Sequence, residues 1–247
     1  MELYYKDYEL ASFKINDNGY LLPFGGKDES LKYYKNEISD YVIAPENNDA
    51  YFAEADILSQ VNKNKEGYFD FNKAILDIGA HAGYYSFRSD FKYVYAFEPN
   101  NFIFQFLNIN LIIHNKWENS KTFNVLLSDK KENIQFDGFS TILDNFDRHF
   151  KYDKSMNVIS HTLDEFNCEN VGFIKIDVEG MEEKVLRGGI GTIIRNNYPP
   201  ILFELWEVGF YGMTQEKHDS LEKFLTDLGY VIFWNWGDYE THLAIHK

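Results

Sequence analysis

From residue 72 onward, short apolar runs alternate with longer amphipathic stretches, the pattern of βα units around a mainly parallel sheet. Residues 74–78, 93–97, 122–127, 172–176 and 200–205 are mostly continuous apolar runs, as strands buried on both faces are. Between them the spacing predicts helices over 84–89, 101–113 and 181–187, the last stopped by Gly188-Gly189. Residues 215–228 repeat at helical spacing, with Leu221, Phe224, Leu225 and Leu228 on one face and Gly229 at the stop. Residues 230–234 and 241–245 read as two strands joined by a turn around Gly237-Asp238. A nicotinamide-type Rossmann domain would end in a parallel sixth strand, not in a hairpin. Residues 1–70 are richer in Tyr, Asn and charge, with turn signals at Asn16-Asp17-Asn18-Gly19 and Pro23-Phe24-Gly25-Gly26. A helix is predicted over 50–61, where Phe52, Ala55, Ile57 and Val61 share a face. The chain therefore divides into a small N-terminal cap on the substrate side, 1–70, and one main α/β domain, 71–247.

The sharpest local signal is the stretch from Ile75 to Ser86, where an apolar strand meets Asp77, a glycine turn and a helix start. Gly79 permits the tight turn, and Gly83 is expected to let the helix pack against the strand. Amides at such a helix start favour an anionic group, for example a carboxylate of a cofactor. The second strand ends in Glu98-Pro99-Asn100, and Glu98 falls about 20 residues after the loop, where an acid can accept from both ribose hydroxyls. Pro99 stiffens the turn and Asn100 is placed to cap the next helix. His81 stands where a dinucleotide loop needs its second glycine, so a pyrophosphate fits poorly. A cofactor with a carboxylate and a ribose but no pyrophosphate fits, and S-adenosylmethionine is that cofactor. The third strand ends in Ser128-Asp129, read either as an adenine contact or as a strand-terminating turn.

Charge narrows the acceptor. The 247 residues hold 24 Lys and Arg against 39 Asp and Glu, a net charge of −15 that repels phosphate backbones. One cysteine, Cys168, rules out an intrachain disulfide and a multi-cysteine zinc site. The opening residues carry no basic-then-apolar leader, and no apolar run reaches the roughly 18 residues of a membrane helix. A soluble cytoplasmic protein is expected, in the host cytoplasm if the Asn-, Lys-, Ile-, Phe- and Tyr-rich composition reflects a viral genome.

Several segments together resemble the FkbM family of S-adenosylmethionine-dependent methyltransferases: LDIGAHAGYYS (76–86), AFEPN (96–100), LLSDK (126–130), HTLDEF (161–166), FIKIDVEGMEEKVLRGG (173–189) and PPILFELWE (199–207). The resemblance spans residues 73–207 and implies a class I methyltransferase fold, a Rossmann-like, mostly parallel seven-stranded sheet with a C-terminal antiparallel hairpin. It also implies O-methylation, often of sugar or polyketide hydroxyls. Asp77, Gly79, His81, Gly83, Glu98, Pro99, Asn100, Ser128 and Asp129 are the expected cofactor-binding residues. One departure is His81, where the family usually has Asn.

The second half carries the candidate chemistry. Lys175 and Asp177 lie two apart in a central strand, hence on one face, and a buried Lys demands a partner: Asp177, Glu179 or Glu204. The carboxyl ends of parallel strands line the ligand crevice, so this set is either part of the site or a structural ion pair. Glu204 is flanked by apolar residues, so burial and a raised pKa are expected; Trp206 walls the pocket or joins the core. Methyl transfer to a hydroxyl needs alignment and a base, for which Asp177, Glu179, Glu204 and His81 are candidates. Asp177, Glu179 and Glu204 could instead gather Mg²⁺. The other six histidines read as surface or packing residues, and Cys168 as unreactive. The aromatic series Tyr4, Tyr5, Tyr8, Phe13, Tyr20, Phe24, Tyr33 and Tyr34 suits sugar stacking, cap packing or a homodimer contact. The expected partner is a small-molecule or glycan acceptor, with neither nucleic acid nor membrane. The alternatives are an RNA ribose methyltransferase, which the charge disfavours, and a non-catalytic cofactor-binding module.

Overall fold

The computed structural model describes residues 12–15, 21–24, 52–136, 156–210 and 212–247. Strands β1 (Ser12–Ile15) and β2 (Leu21–Phe24) pair antiparallel. The turn signal at 16–19 and Tyr4, Tyr5, Tyr8, Tyr20, Tyr33 and Tyr34 lie outside the described residues. Helix α1 (Phe52–Lys63) follows, and its Ile57, Leu58 and Val61 are buried in the core of the main domain.

The main domain runs β3 (Ala74–Ile78), α2 (Tyr84–Arg88), β4 (Tyr93–Phe97), α3 (Asn101–Ile113), β5 (Ser120–Phe123), β6 (Leu126–Leu127) and β7 (Asn133–Phe136). It continues through β8 (Met156–His161), β9 (Val171–Ile176), α4 (Glu182–Arg187), α5 (Ile190–Arg195) and β10 (Ile201–Glu204). Helix α6 (Gln215–Asp227) leads to β11 (Tyr230–Phe233) and β12 (Thr241–His246). The seven-stranded sheet has the order β11-β12-β10-β9-β3-β4-β5. Its pairings from β10 to β5 are parallel, whereas β12 runs antiparallel between β10 and β11, the expected C-terminal hairpin. No helix among the described residues is long and apolar enough to cross a membrane.

Strand alternation splits the core into two layers. Leu76, Ile78, Ile174, Ile176, Ile201 and Phe203 face one layer with Val185, Leu186 and Leu225 of α4 and α6. Ile75, Phe173, Leu202 and Leu243 face the other with α1 and with Leu107 and Leu111 of α3. Asp77, Lys175 and Glu204 share the parity of this second set.

One strand expectation needs correction. Residues 122–127 do not form one strand: β5 ends at Phe123, and β6 leaves to pair with β8 in a separate three-stranded sheet with β7. The break follows from Asn124, whose side-chain amide donates to the Glu98 and Pro99 carbonyls at 2.9 and 3.1 Å. Helix α4 does stop at Gly188-Gly189 as expected, and a separate helix, α5, then starts where Asp164 accepts from the amides of Gly191 and Thr192.

Candidate active site

At the carboxyl end of β3 the chain turns through Gly79 at φ +71°, and the Gly79 and Ala80 amides both donate to the Phe97 carbonyl (3.0 and 2.9 Å). A Cβ on Gly79 would lie 1.8 Å from the Asp177 carbonyl oxygen, so only glycine lets the ends of β3 and β9 approach this closely. Gly83, expected to serve helix-on-strand packing, instead faces α3: its Cβ would meet Leu107 Cδ1 at 2.5 Å. His81 holds φ +50° and donates its amide to Glu98 Oε2 at 2.9 Å. Glu98 Oε1 accepts from the Asn100 amide at 2.7 Å, and Asn100 Oδ1 accepts from Ile103 N, capping α3 as expected. Glu98 thus stitches the glycine loop to the end of β4.

Asp77 is fully buried beneath this loop. Its Oδ2 accepts from Ser86 Oγ at 2.6 Å, while Oδ1 has no hydrogen-bond partner among the described residues and lies 3.9 Å from Lys175 Nζ. Lys175 also reaches the Gly79 carbonyl at 3.2 Å and Asp177 Oδ2 at 3.4 Å, and it lies over the Tyr85 ring. The demanded partner is present, but Asp77 shares the role expected of the strand-end acids alone. Register opposes Ile176 to Phe203, so Asp177 and Glu204 leave adjacent strands side by side. They face a cavity of about 190 Å³ lined also by Tyr85, Lys175, Asp238, Glu240 and Thr241. Asp238 and Glu240, from the turn before β12, escape sequence reasoning because nothing local ties that turn to β9.

Burial sets the electrostatics. Glu98 is pushed up to about 7 by desolvation, which its two amide bonds only partly offset. Glu204 is pushed up to about 8 by desolvation and then by the nearby Asp177 charge, with Lys175 opposing. Asp77 is raised by burial against the pull of Lys175. The His81 side chain has an edge in solvent, yet its crowded surroundings, and then Lys175, lower its imidazole pKa.

A stability profile follows. Folded Glu98 and Glu204 keep protons that the unfolded chain releases near the ordinary 4.5, so unfolding releases protons between about 4.5 and about 8. Stability should fall as pH rises through that window. Urea midpoints at about pH 5.5 and 8.5 measure it; a higher midpoint at the alkaline end contradicts the burial assigned to these acids.

The remaining candidates divide. Ser128 is buried with its hydroxyl on Asp129 Oδ1, and its carbonyl would lie 2.1 Å from a Cβ on Gly188; Asp129 is exposed. Glu179 holds φ +58° and shares a narrow gap with Asp177, Gly180, Glu182, Glu204 and Trp206. Trp206 is therefore buried and beside the carboxylates at once. Glu182, which sequence reasoning did not single out, is buried and accepts from two loop amides. Among the described residues no group of three or more His, Cys, Asp or Glu side chains is arranged to hold a metal ion. The alternative in which Asp177, Glu179 and Glu204 gather Mg²⁺ finds no support in this arrangement, and the Lys175 ammonium lies against Asp177. His114 and His246 stack on Phe87 and Tyr198, and His161 pairs with Glu165. Cys168 is fully buried, and desolvation pushes its thiol up to about 12.

The family model for the methyltransferase FkbM domain matches residues 77–232, more than half of the chain. The chain belongs to the FkbM methyltransferase family. This FkbM-family chain is similar in fold to the crystal structure of Methyltransferase FkbM from Methylobacillus flagellatus KT (TM-score 0.54, 15% identity, covering 90% of this chain and 56% of that one). It thus spans just over half the length of that relative. A putative caffeoyl-CoA O-methyltransferase from Staphylococcus aureus is similar over 90% of this chain and 93% of its own, with TM-score 0.50 and 13% identity. At such identities the likeness is one of fold, the class I methyltransferase sheet. No curated protein matches the FkbM-family chain significantly.

Proposed function

We propose that the protein transfers a methyl group from S-adenosylmethionine to a hydroxyl of a sugar, glycan or similar small molecule. The observation that carries the reading is the meeting of Asp177 and Glu204 in a polar cavity beside the glycine loop. Carboxylates accept hydrogen bonds from hydroxyls and repel phosphates, so the lining favours a polyhydroxyl acceptor over RNA. The N-terminal cap, 1–70, completes the acceptor side in this reading.

The residues fit the cofactor by their own geometry. The Gly79 turn carries no side chain and ends β3 beside the loop amides, and the Glu98 carboxylate at the end of β4 suits a ribose diol. His81, Gly83, Pro99 and Asn100 shape that pocket, while Ser128 and Asp129 belong to its adenine side. When bound, S-adenosylmethionine supplies an electrophilic methyl group on a sulfonium. Glu204, its pKa pushed up to about 8 by its buried setting, takes the hydroxyl proton when ionised. Asp177, fixed by Lys175, orients the acceptor.

Glu98→Ala should weaken cofactor binding by about 1.5–3 kcal/mol, roughly 10- to 150-fold, as loss of hydrogen bonds to a charged group does. Calorimetry with S-adenosylhomocysteine measures this, and unchanged affinity removes Glu98 from the site. The function itself is tested with isotope-labelled methyl donor and a panel of sugars, glycans and RNA. Label on a sugar oxygen is expected. Label on RNA alone supports ribose methylation, and cofactor binding without transfer to any acceptor supports a binding module.

A further inference from the structure

We propose that Glu182 is a positioning residue, clamping the Asp177–Gly180 loop so that the acceptor carboxylates hold a fixed distance from the cofactor turn. The inference rests on the reading above, in which Asp177 and Glu204 serve the acceptor.

The loop after β9 does not adopt its shape for free. Glu179 and Gly180 are consecutive left-handed residues, φ +58° and +92°, and the first carries a side chain that disfavours this region. Such a conformation persists only where surrounding contacts over-determine it. One group holds two of the loop amides. Glu182 Oε1 accepts from the amides of Val178 and Gly180, both at 3.1 Å, so the backbone on either side of Glu179 points inward at a single carboxylate. That carboxylate is almost wholly buried, in a gap too narrow for water that it shares with Asp177, Glu179, Glu204 and Trp206.

Burying a carboxylate beside other acids is unfavourable unless strong donors compensate it, and charge-assisted amide bonds are such donors. Desolvation raises the pKa of Glu182 to about 7 despite these bonds. The arrangement has a use at both ends of the loop. At its start the Asp177 amide donates to the Ile78 carbonyl at 3.0 Å, and the Asp177 carbonyl lies where a Gly79 side chain would otherwise be. From the same residue the side chain meets Lys175 and the acceptor cavity. The residue that fixes this loop therefore couples the glycine turn of the cofactor to the carboxylates of the acceptor. A slip of about 1 Å in such an arrangement costs up to a hundredfold in rate.

The test uses the full chain with Glu182→Ala and Glu182→Gln, because glutamine keeps the accepting oxygen and alanine removes it. Residue-resolved hydrogen exchange at Val178 and Gly180 is measured without any acceptor, and turnover and S-adenosylhomocysteine affinity are measured alongside. Glu182→Ala should deprotect both amides and lower turnover by roughly 10- to 100-fold, with a smaller loss of cofactor affinity. Glu182→Gln should restore protection and most of the turnover. Retained protection and turnover in Glu182→Ala overturn the proposal. So does a Glu182→Gln protein with protected amides and the turnover of Glu182→Ala. If Glu182→Ala does not fold, Glu182→Gln decides by the same two readouts. Wild type that methylates nothing in the panel overturns the functional reading, while the exchange experiment still decides the clamp.

Discussion

Glu204→Gln is expected to reduce turnover by about 10² to 10⁴ while leaving S-adenosylhomocysteine affinity unchanged, the range for loss of a general base. The carboxylate must be ionised to accept a proton. With its pKa pushed up to about 8, the wild-type rate should climb as pH rises towards that value and level off above it. Asp177→Asn offers a finer check. The Asp177 charge helps to hold Glu204 protonated, so its neutralisation should move the rising limb to lower pH. A rate profile for Glu204→Gln that matches wild type in height and limb means that the base lies elsewhere, and His81 is then the residue to test. Activity and stability should also part company, because the alkaline pH that ionises Glu204 is the pH at which its burial costs most.

Gly79→Ala should destabilise the fold by roughly 2–5 kcal/mol, combining the left-handed backbone penalty with overpacking. The added methyl would sit 1.8 Å from the Asp177 carbonyl oxygen, so β3 and β9 must separate at the point where Lys175 ties them. Gly67 supplies the control. It has the same φ of +71° but nothing within 4 Å of its would-be Cβ. Gly67→Ala should therefore cost only the backbone share, about 1–2 kcal/mol. Urea midpoints of the two variants separate the steric contribution from the conformational one; equal losses would mean that the contact with Asp177 yields easily.

The readable parts of this molecule were those where chemistry and sequence spacing coincide. Asp77, Gly79, Glu98 and Asn100 lie within one βα unit and the strand after it, so turn geometry, strand-end acid and helix cap show in consecutive residues. The βα alternation and the closing hairpin were readable for the same reason, each strand being apolar by itself. Long-range pairing was not. Lys175 announces the need for a counter-charge, but its contact with Asp77 crosses from β9 to β3, and no local pattern connects them. Residues 122–127 read as one strand because their apolar run hides the competing demand of Asn124 for the Glu98 and Pro99 carbonyls. Asp238 and Glu240 reach the cavity only because β12 inserts between β10 and β11, a topological fact rather than a sequence pattern.

The buried Cys168 makes the protein its own folding gauge. With the thiol pushed up to about 12 and no exposed surface, native chain at neutral pH presents almost no thiolate to an alkylating reagent. Unfolded chain presents an ordinary cysteine. Because it is the chain's single cysteine, each molecule takes up at most one label. Pulsed alkylation followed by intact-mass measurement thus counts opened molecules directly, without an engineered probe or a fluorophore. Under fast labelling the rate of uptake equals the rate at which the core around α5 and β9 comes apart.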